Sequence, residues 1–159
     1  MKVTARHATT DDIDSLVRLY RVLEEEMVGL HSMWSLADGL EEPIEQSLLA
    51  AIDRPDTHVI VGEIDDYPFG FVVATVEGLL DQADGEKIGS IRLVFVEKEA
   101  REVAVGEVMR DLVLDDLRPL GITKFDAHVL PGHRLAKNFF EAGGFSARSI
   151  IMHHDDARE

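Results

Sequence analysis

Leu93-Val94-Phe95-Val96-Glu97-Lys98-Glu99-Ala100-Arg101-Glu102-Val103-Ala104-Val105-Gly106-Glu107-Val108-Met109 carries a strand through a turn straight into an amphipathic helix. Val94-Phe95-Val96 has the β-branched and aromatic character of a buried strand. Val105, Val108 and Met109, followed by Leu112 and Val113, recur at the spacing of one helix face. Small residues stand at Ala104 and Gly106, where that helix begins. The first N–H groups of a helix have no partner inside it, and the helix dipole adds partial positive charge to them. Such a junction suits an anion, a phosphate or a pyrophosphate. It lacks the Lys-Ser/Thr of a P-loop and the G-x-G-x-x-G of a dinucleotide fold, so by itself it reads rather as a plain capped connection.

The rest of the chain alternates in the same way. Val3–Arg6 can form a first strand, and Thr9-x-x-Asp12 fits a capping box, with Ile13, Leu16, Val17, Tyr20, Leu23 and Met27 following at helical spacing. An irregular segment between Gly29 and Gly39 holds His31, Met33 and Trp34, and a second helix is expected from about Glu42 to Asp53. His58–Ile64 and Phe69–Val76 read as a hairpin joined by Asp65-Asp66-Tyr67-Pro68, with a further strand over Ile88–Val96. After the helix that ends before Pro119-Leu120-Gly121 come a strand over Phe125–Leu130, a helix stopped by Gly143-Gly144, and a last strand over Phe145–His153. The hairpins predict antiparallel pairing, and the crossover through residues 97–122 predicts a parallel pair. The expected fold is α/β (α+β with a mixed sheet): a single domain over residues 1–159, with a twisted sheet of six to seven strands flanked by about four helices.

With 159 residues, 45% of them hydrophobic and 30% charged, the chain has the size and composition of one globular domain. It has no apolar run near the roughly 18 residues of a membrane span, and its start lacks the apolar stretch of a secretory signal, so a cytoplasmic protein with no membrane partner is expected. Cysteine is absent, which excludes disulfides, thiolate catalysis and thiolate metal sites. The net charge of −15 argues against a nucleic-acid partner, which needs clustered Lys and Arg. That charge suits both the steering of a cationic substrate and plain solubility.

The opening stretch resembles the acetyl-CoA-binding motif of the GNAT N-acetyltransferase superfamily, Gln/Arg-x-x-Gly-x-Gly/Ala, which reads here Arg101-x-x-Ala104-x-Gly106. A second signature follows downstream: His133-Arg134-Leu135-Ala136-Lys137-Asn138-Phe139-Phe140-Glu141-Ala142-Gly143-Gly144-Phe145 resembles the family's Asn-x-x-Ala-x-x-Phe-Tyr-x-x-x-Gly-Phe. The order of elements along the chain is similar as well. The resemblance implies acetyl-CoA as acyl donor, with its pantetheine arm in a wedge between the strands Ile88–Val96 and Phe125–Leu130. The arm would pair with the backbone of Val94 and Val96, and a backbone N–H near Phe95–Val96 would stabilise the oxyanion. The amides of Arg101, Glu102, Val103, Ala104, Val105, Gly106 and Glu107 would hold the pyrophosphate. His133, Lys137 and Phe140 fall on the cofactor side of the second signature. Departures from the pattern are Glu102 for a common Gly, Ala104 for the first motif Gly, His133 for Asn, and Phe140 where the family often has the Tyr that protonates the leaving thiolate.

The resemblance further implies direct transfer to an amine. His128 is the candidate base, standing where many members carry a Glu, with Glu77 as the next candidate. His31 and Trp34 lie in the loop that shapes acceptor choice in this family, and each equally suits a structural role; a Trp there can stack on a cation. The acceptor is a small-molecule or peptide amine, and a homodimer is left open. No metal is expected, since His153-His154-Asp155-Asp156 has no ligand spacing of a built site. The competing readings are an acyl-CoA-binding module with little turnover, and a protein N-terminal or lysine acetyltransferase.

Overall fold

Thr9 and Asp12 form the capping box: the Thr9 N–H donates to Asp12 Oδ2 at 2.8 Å, and a short 3₁₀ turn leads into α1 (Ile13–Leu30). The computed structural model describes residues 1–157. Leu16, Leu19, Tyr20, Leu23 and Met27 form the buried stripe of α1, which packs with α2 (Trp34–Ala37) and α3 (Ile44–Asp53).

The sheet has five strands in sequential order, β1 (Val3–His7), β2 (Thr57–Ile64), β3 (Tyr67–Gly78), β4 (Lys87–Val96) and β5 (Lys124–Ala127). The first four are antiparallel to their neighbours, and β4 and β5 are parallel, joined by the crossover helix α4 (Val105–Leu117). Asp65 and Asp66 make the two-residue β2–β3 turn with φ of 49° and 66°, the left-handed conformation such hairpins require and Asp tolerates. The last helix is α5 (Arg134–Ala142).

Alternation along β2 and β3 builds two cores. Val59, Val61, Phe71 and Val73 face α1, α2 and α3, while Ile60, Val72 and Ala74 face Val105, Met109 and Val113 of α4 and Phe140 of α5.

Two expectations change. The sheet has five strands rather than six to seven, and five α-helices flank it rather than about four, α2 being a single turn inside the segment read as irregular. Phe145–His153 is not a strand. Its composition suits one, but a strand needs a ladder and a surface to pack on. The segment meets the short β5 through Arg148, whose Nε donates to Asp126 Oδ1 at 2.7 Å, and leaves Ile150, Ile151 and Met152 exposed.

Candidate active site

The β4–β5 ladder runs only from Ile88↔Lys124 to Ile91↔Ala127, with one further bond from His128 N to Ile91 O at 3.0 Å. Beyond it β4 continues to Val96 without β5, so the two strands part. Glu97 N donates to Phe69 O at 2.8 Å, and antiparallel alternation then turns Phe95 toward β3 and Val94 and Val96 toward the opening.

A β-bulge shapes the same place. Val73 pairs with Leu93 and Ala74 with Ile91, leaving Arg92 as the extra residue. Ile91 lies in the α4 core and Leu93 in the α1 core although they are two apart, so the strand reverses its faces at Arg92. The reversal aims Arg92 into a cleft lined also by Val94, His128, His133, Leu23 and Trp34, with an empty volume of about 350 Å³ including its mouth.

His128 Nε2 lies 3.1 Å from Ser90 Oγ and 3.3 Å from Arg92 Nη1. Arg92 also donates to Glu77 Oε1 at 3.3 Å, and Thr75 Oγ1 donates to the same oxygen at 2.9 Å. Burial of the ring and the neighbouring Arg92 guanidinium push the imidazole below its ordinary 6.5, against the pull of Glu77, Asp126 and Asp38. His128 is exposed as a residue, which moderates the effect. The imidazole is therefore neutral at neutral pH, with Nε2 as its acceptor nitrogen facing the Arg92 donor, which must give way when a proton is taken there.

The start of α4 is bare of side-chain caps. Its first ladder bond is Val108 N to Ala104 O at 3.1 Å, which leaves the N–H groups of Val105, Gly106 and Glu107 without a partner inside the helix. Ala104 has φ 69°, ψ 15°, the left-handed conformation for which the related motif carries Gly. Gly106 is small for another reason: a Cβ there would lie 3.0 Å from Phe139 Cε1, so the glycine lets α4 and α5 approach. Glu102 and Glu107 are exposed, and Val103 is half-buried.

Arg101 turns back toward β4. Its Nε donates to Val96 O at 2.9 Å, its Nη2 to Glu26 Oε2 at 2.7 Å, and its guanidinium carbon lies 5.7 Å from the Phe95 ring centroid. His133 Nε2 is 3.7 Å from Glu26 Oε1, and burial lowers its pKa. Phe140 is 3% exposed and packs edge-on against Phe139 and Phe145. Lys137 is exposed and faces Glu141 of its own helix at 3.7 Å. Trp34 is buried against Tyr20, with one side on the cleft. His31 lines a separate hollow with Met33, Leu36, His153 and His154.

The structure thus gathers Val94, His128, His133 and Trp34 in one cleft and sets His31 apart from it. Ser90 and Arg92 went unread in the sequence. Their signal was two polar residues, two apart, in an otherwise apolar strand.

The profile of the acetyltransferase (GNAT) family matches residues 16–145. The chain belongs to the GNAT acetyltransferase family. Solved structures share its fold. The BH1408 protein from Bacillus halodurans, solved as a tetramutant, superposes with a TM-score of 0.80 at 19% identity, covering 98% of this chain and 99% of that one. The aminoglycoside acetyltransferase meta-AAC0020 from an uncultured soil metagenomic sample gives 0.73 at 11% identity, covering 99% and 97%. A ribosomal-protein-alanine N-acetyltransferase from Brucella melitensis biovar Abortus 2308 gives 0.69 at 13%, covering 97% and 100%. No curated protein matches the sequence. Among the described residues no helix is long and apolar enough to cross a membrane.

Proposed function

We propose that this GNAT protein is an acetyl-CoA-dependent N-acetyltransferase of the cytoplasm that transfers acetyl directly to an amine, with His128 as the group that takes the amine's proton. The observation that carries the reading is the parted β4–β5 pair, with outward-facing Val94 and neutral His128 on one cleft.

The residues present fit the acyl donor. Val94 and Val96 offer backbone groups on the open edge of β4, and the free N–H groups of Val105, Gly106 and Glu107 suit its pyrophosphate. When bound, acetyl-CoA supplies an activated acyl carbon. Val96, rather than Phe95, has its N–H toward the opening and is the donor suited to the carbonyl oxygen as negative charge develops. Ser90 and Arg92 hold the imidazole of His128 in place. Glu77 holds Arg92 and acts on His128 only through it.

The carboxylates of Asp38, Glu77 and Asp126 and the single guanidinium of Arg92 act on His128, an acidic balance that favours a small cationic amine. A second reading has its own support. Phe140 is sealed in the core with no proton to give, and the Val96 carbonyl is already taken by Arg101, as suits a module that binds acyl-CoA with little turnover.

The test is a screen of small amines, peptide N-termini and lysine peptides, reading thiol released from acetyl-CoA. Turnover is expected with polyamines or aminoglycoside-like cations. Turnover confined to peptides would make it a protein acetyltransferase, and acetyl-CoA binding with no turnover would favour the binding module.

A further inference from the structure

Away from the cleft, two apolar strand lines and the buried face of α4 bring metal-binding side chains to one point. On β1 the residues facing α4 are Val3, Ala5 and then His7; on β2 they are Gly62, Ile60 and then His58. On α4 the buried face runs Val105, Met109, Val113, and its next turn brings Asp116. β1 and β2 are apolar along these lines up to the histidine, and on α4 Asp116 stands beside Leu117, which continues the buried face. One ligand atom from each of His7, His58 and Asp116 lies within 4.8 Å of the other two.

The local geometry is unusual for a plain ion pair. His7 Nε2 stands 2.6 Å from Asp116 Oδ2, yet no N–H is aligned with that oxygen. Oδ2 is buried and is the one such side-chain atom without a hydrogen-bond partner among the described residues. The oxygen's one close polar contact is His7 Nε2, so it has lone pairs to spare, which a metal cation shared with that imidazole would satisfy. The His7 and His58 rings stand 5.9 Å apart, centroid to centroid, and His58 is the diagonal cross-strand neighbour of His7 in the β1–β2 register.

We propose that His7, His58 and Asp116 form a binding site for a divalent transition metal, with Zn²⁺ as the ion that fits best. Two imidazole nitrogens and one carboxylate oxygen are three ligands of a tetrahedral zinc, and water completes the set. Ligand atoms around such an ion stand about 3.4 Å apart, as follows from metal–ligand bonds of about 2.0–2.2 Å. The His7 side chain, 54% exposed, has room to rotate toward this arrangement. The ion would tie the end of β1, the start of β2 and the last turn of α4 together. The sequence gives no metal motif because its ligands come from three separate elements.

The test uses the full chain freed of metal with EDTA. Calorimetry with Zn²⁺ should show one equivalent bound, Co²⁺ should give the visible bands of a four-coordinate site, and Zn²⁺ should raise the Tm. His7→Gln and Asp116→Asn, which keep size and polarity, each remove a direct ligand and should weaken zinc binding by more than the roughly 10–100-fold that loss of an outer-shell partner costs, and remove the Tm rise. A His153→Ala/His154→Ala variant controls for the tail and should bind as the parent does. The proposal fails if no equivalent binds, if His7→Gln and Asp116→Asn bind zinc as tightly as the parent, or if the tail variant alone loses the site. Circular dichroism of the zinc-free variants separates loss of ligands from loss of fold, and His58→Gln, which removes the remaining ligand, takes the place of either variant that fails to fold.

Discussion

Ala104 sits at the head of α4 with a backbone conformation that an L-residue adopts at a cost of about 1–2 kcal/mol. Glycine there would remove the strain but carries about 0.5–1 kcal/mol of extra backbone entropy to lose on folding. Ala104→Gly should therefore stabilise the protein by about 0.5–1 kcal/mol in urea unfolding; a destabilised variant would show that the left-handed assignment is wrong. His128 tests the chemistry. Its pKa is lowered by burial and Arg92, so the proton-accepting form persists below 6.5. If it is the base, kcat/KM should rise with pH along a limb whose midpoint lies below that value and be flat above it. His128→Ala should remove the limb and lower kcat by about 10²–10⁴-fold while acetyl-CoA still binds. A retained limb would move the proton to another group.

At the scale of elements, the opening between β4 and β5 is a property of hydrogen-bond direction. Phe95 and Glu97 point their amides into the β3 ladder, and Val94 and Val96 point theirs away from it. Amide exchange followed residue by residue should therefore alternate along this strand, with Val94 and Val96 exchanging more than about tenfold faster than Phe95 and Glu97. Acetyl-CoA should slow the fast pair selectively, whereas four amides exchanging alike would mean there is no open edge. The strand–turn–helix around Arg101–Gly106 was legible because its signal is local: a change of period and two small residues. The part played by Gly106 was not, since its neighbour is Phe139 on another helix. The bulge at Arg92 was also hidden. One extra residue leaves the strand's composition unchanged and appears only as a register shift against β3.

For the molecule as a whole, local period carried the order of elements and the parallel crossover, and it failed where partners decide. Phe145–His153 was expected as a strand but has no ladder to join, so composition misled. Trp34 suits a core and a binding loop equally by type, and only its place against Tyr20 shows that it is mainly core, with one side on the cleft. The sheet's two separate cores also bear on how such a protein can change over generations. Because β2 and β3 send alternate side chains to opposite faces, substitutions in the α1–α3 layer are insulated from the α4 layer by a full thickness of sheet. If α4 holds the phosphates as proposed, mutations in the α1–α3 layer, which gives the cleft Leu23 and Trp34, can accumulate while that helix stays as it is. On the proposed function, the lineage could thus explore new substrates without first giving up the cosubstrate.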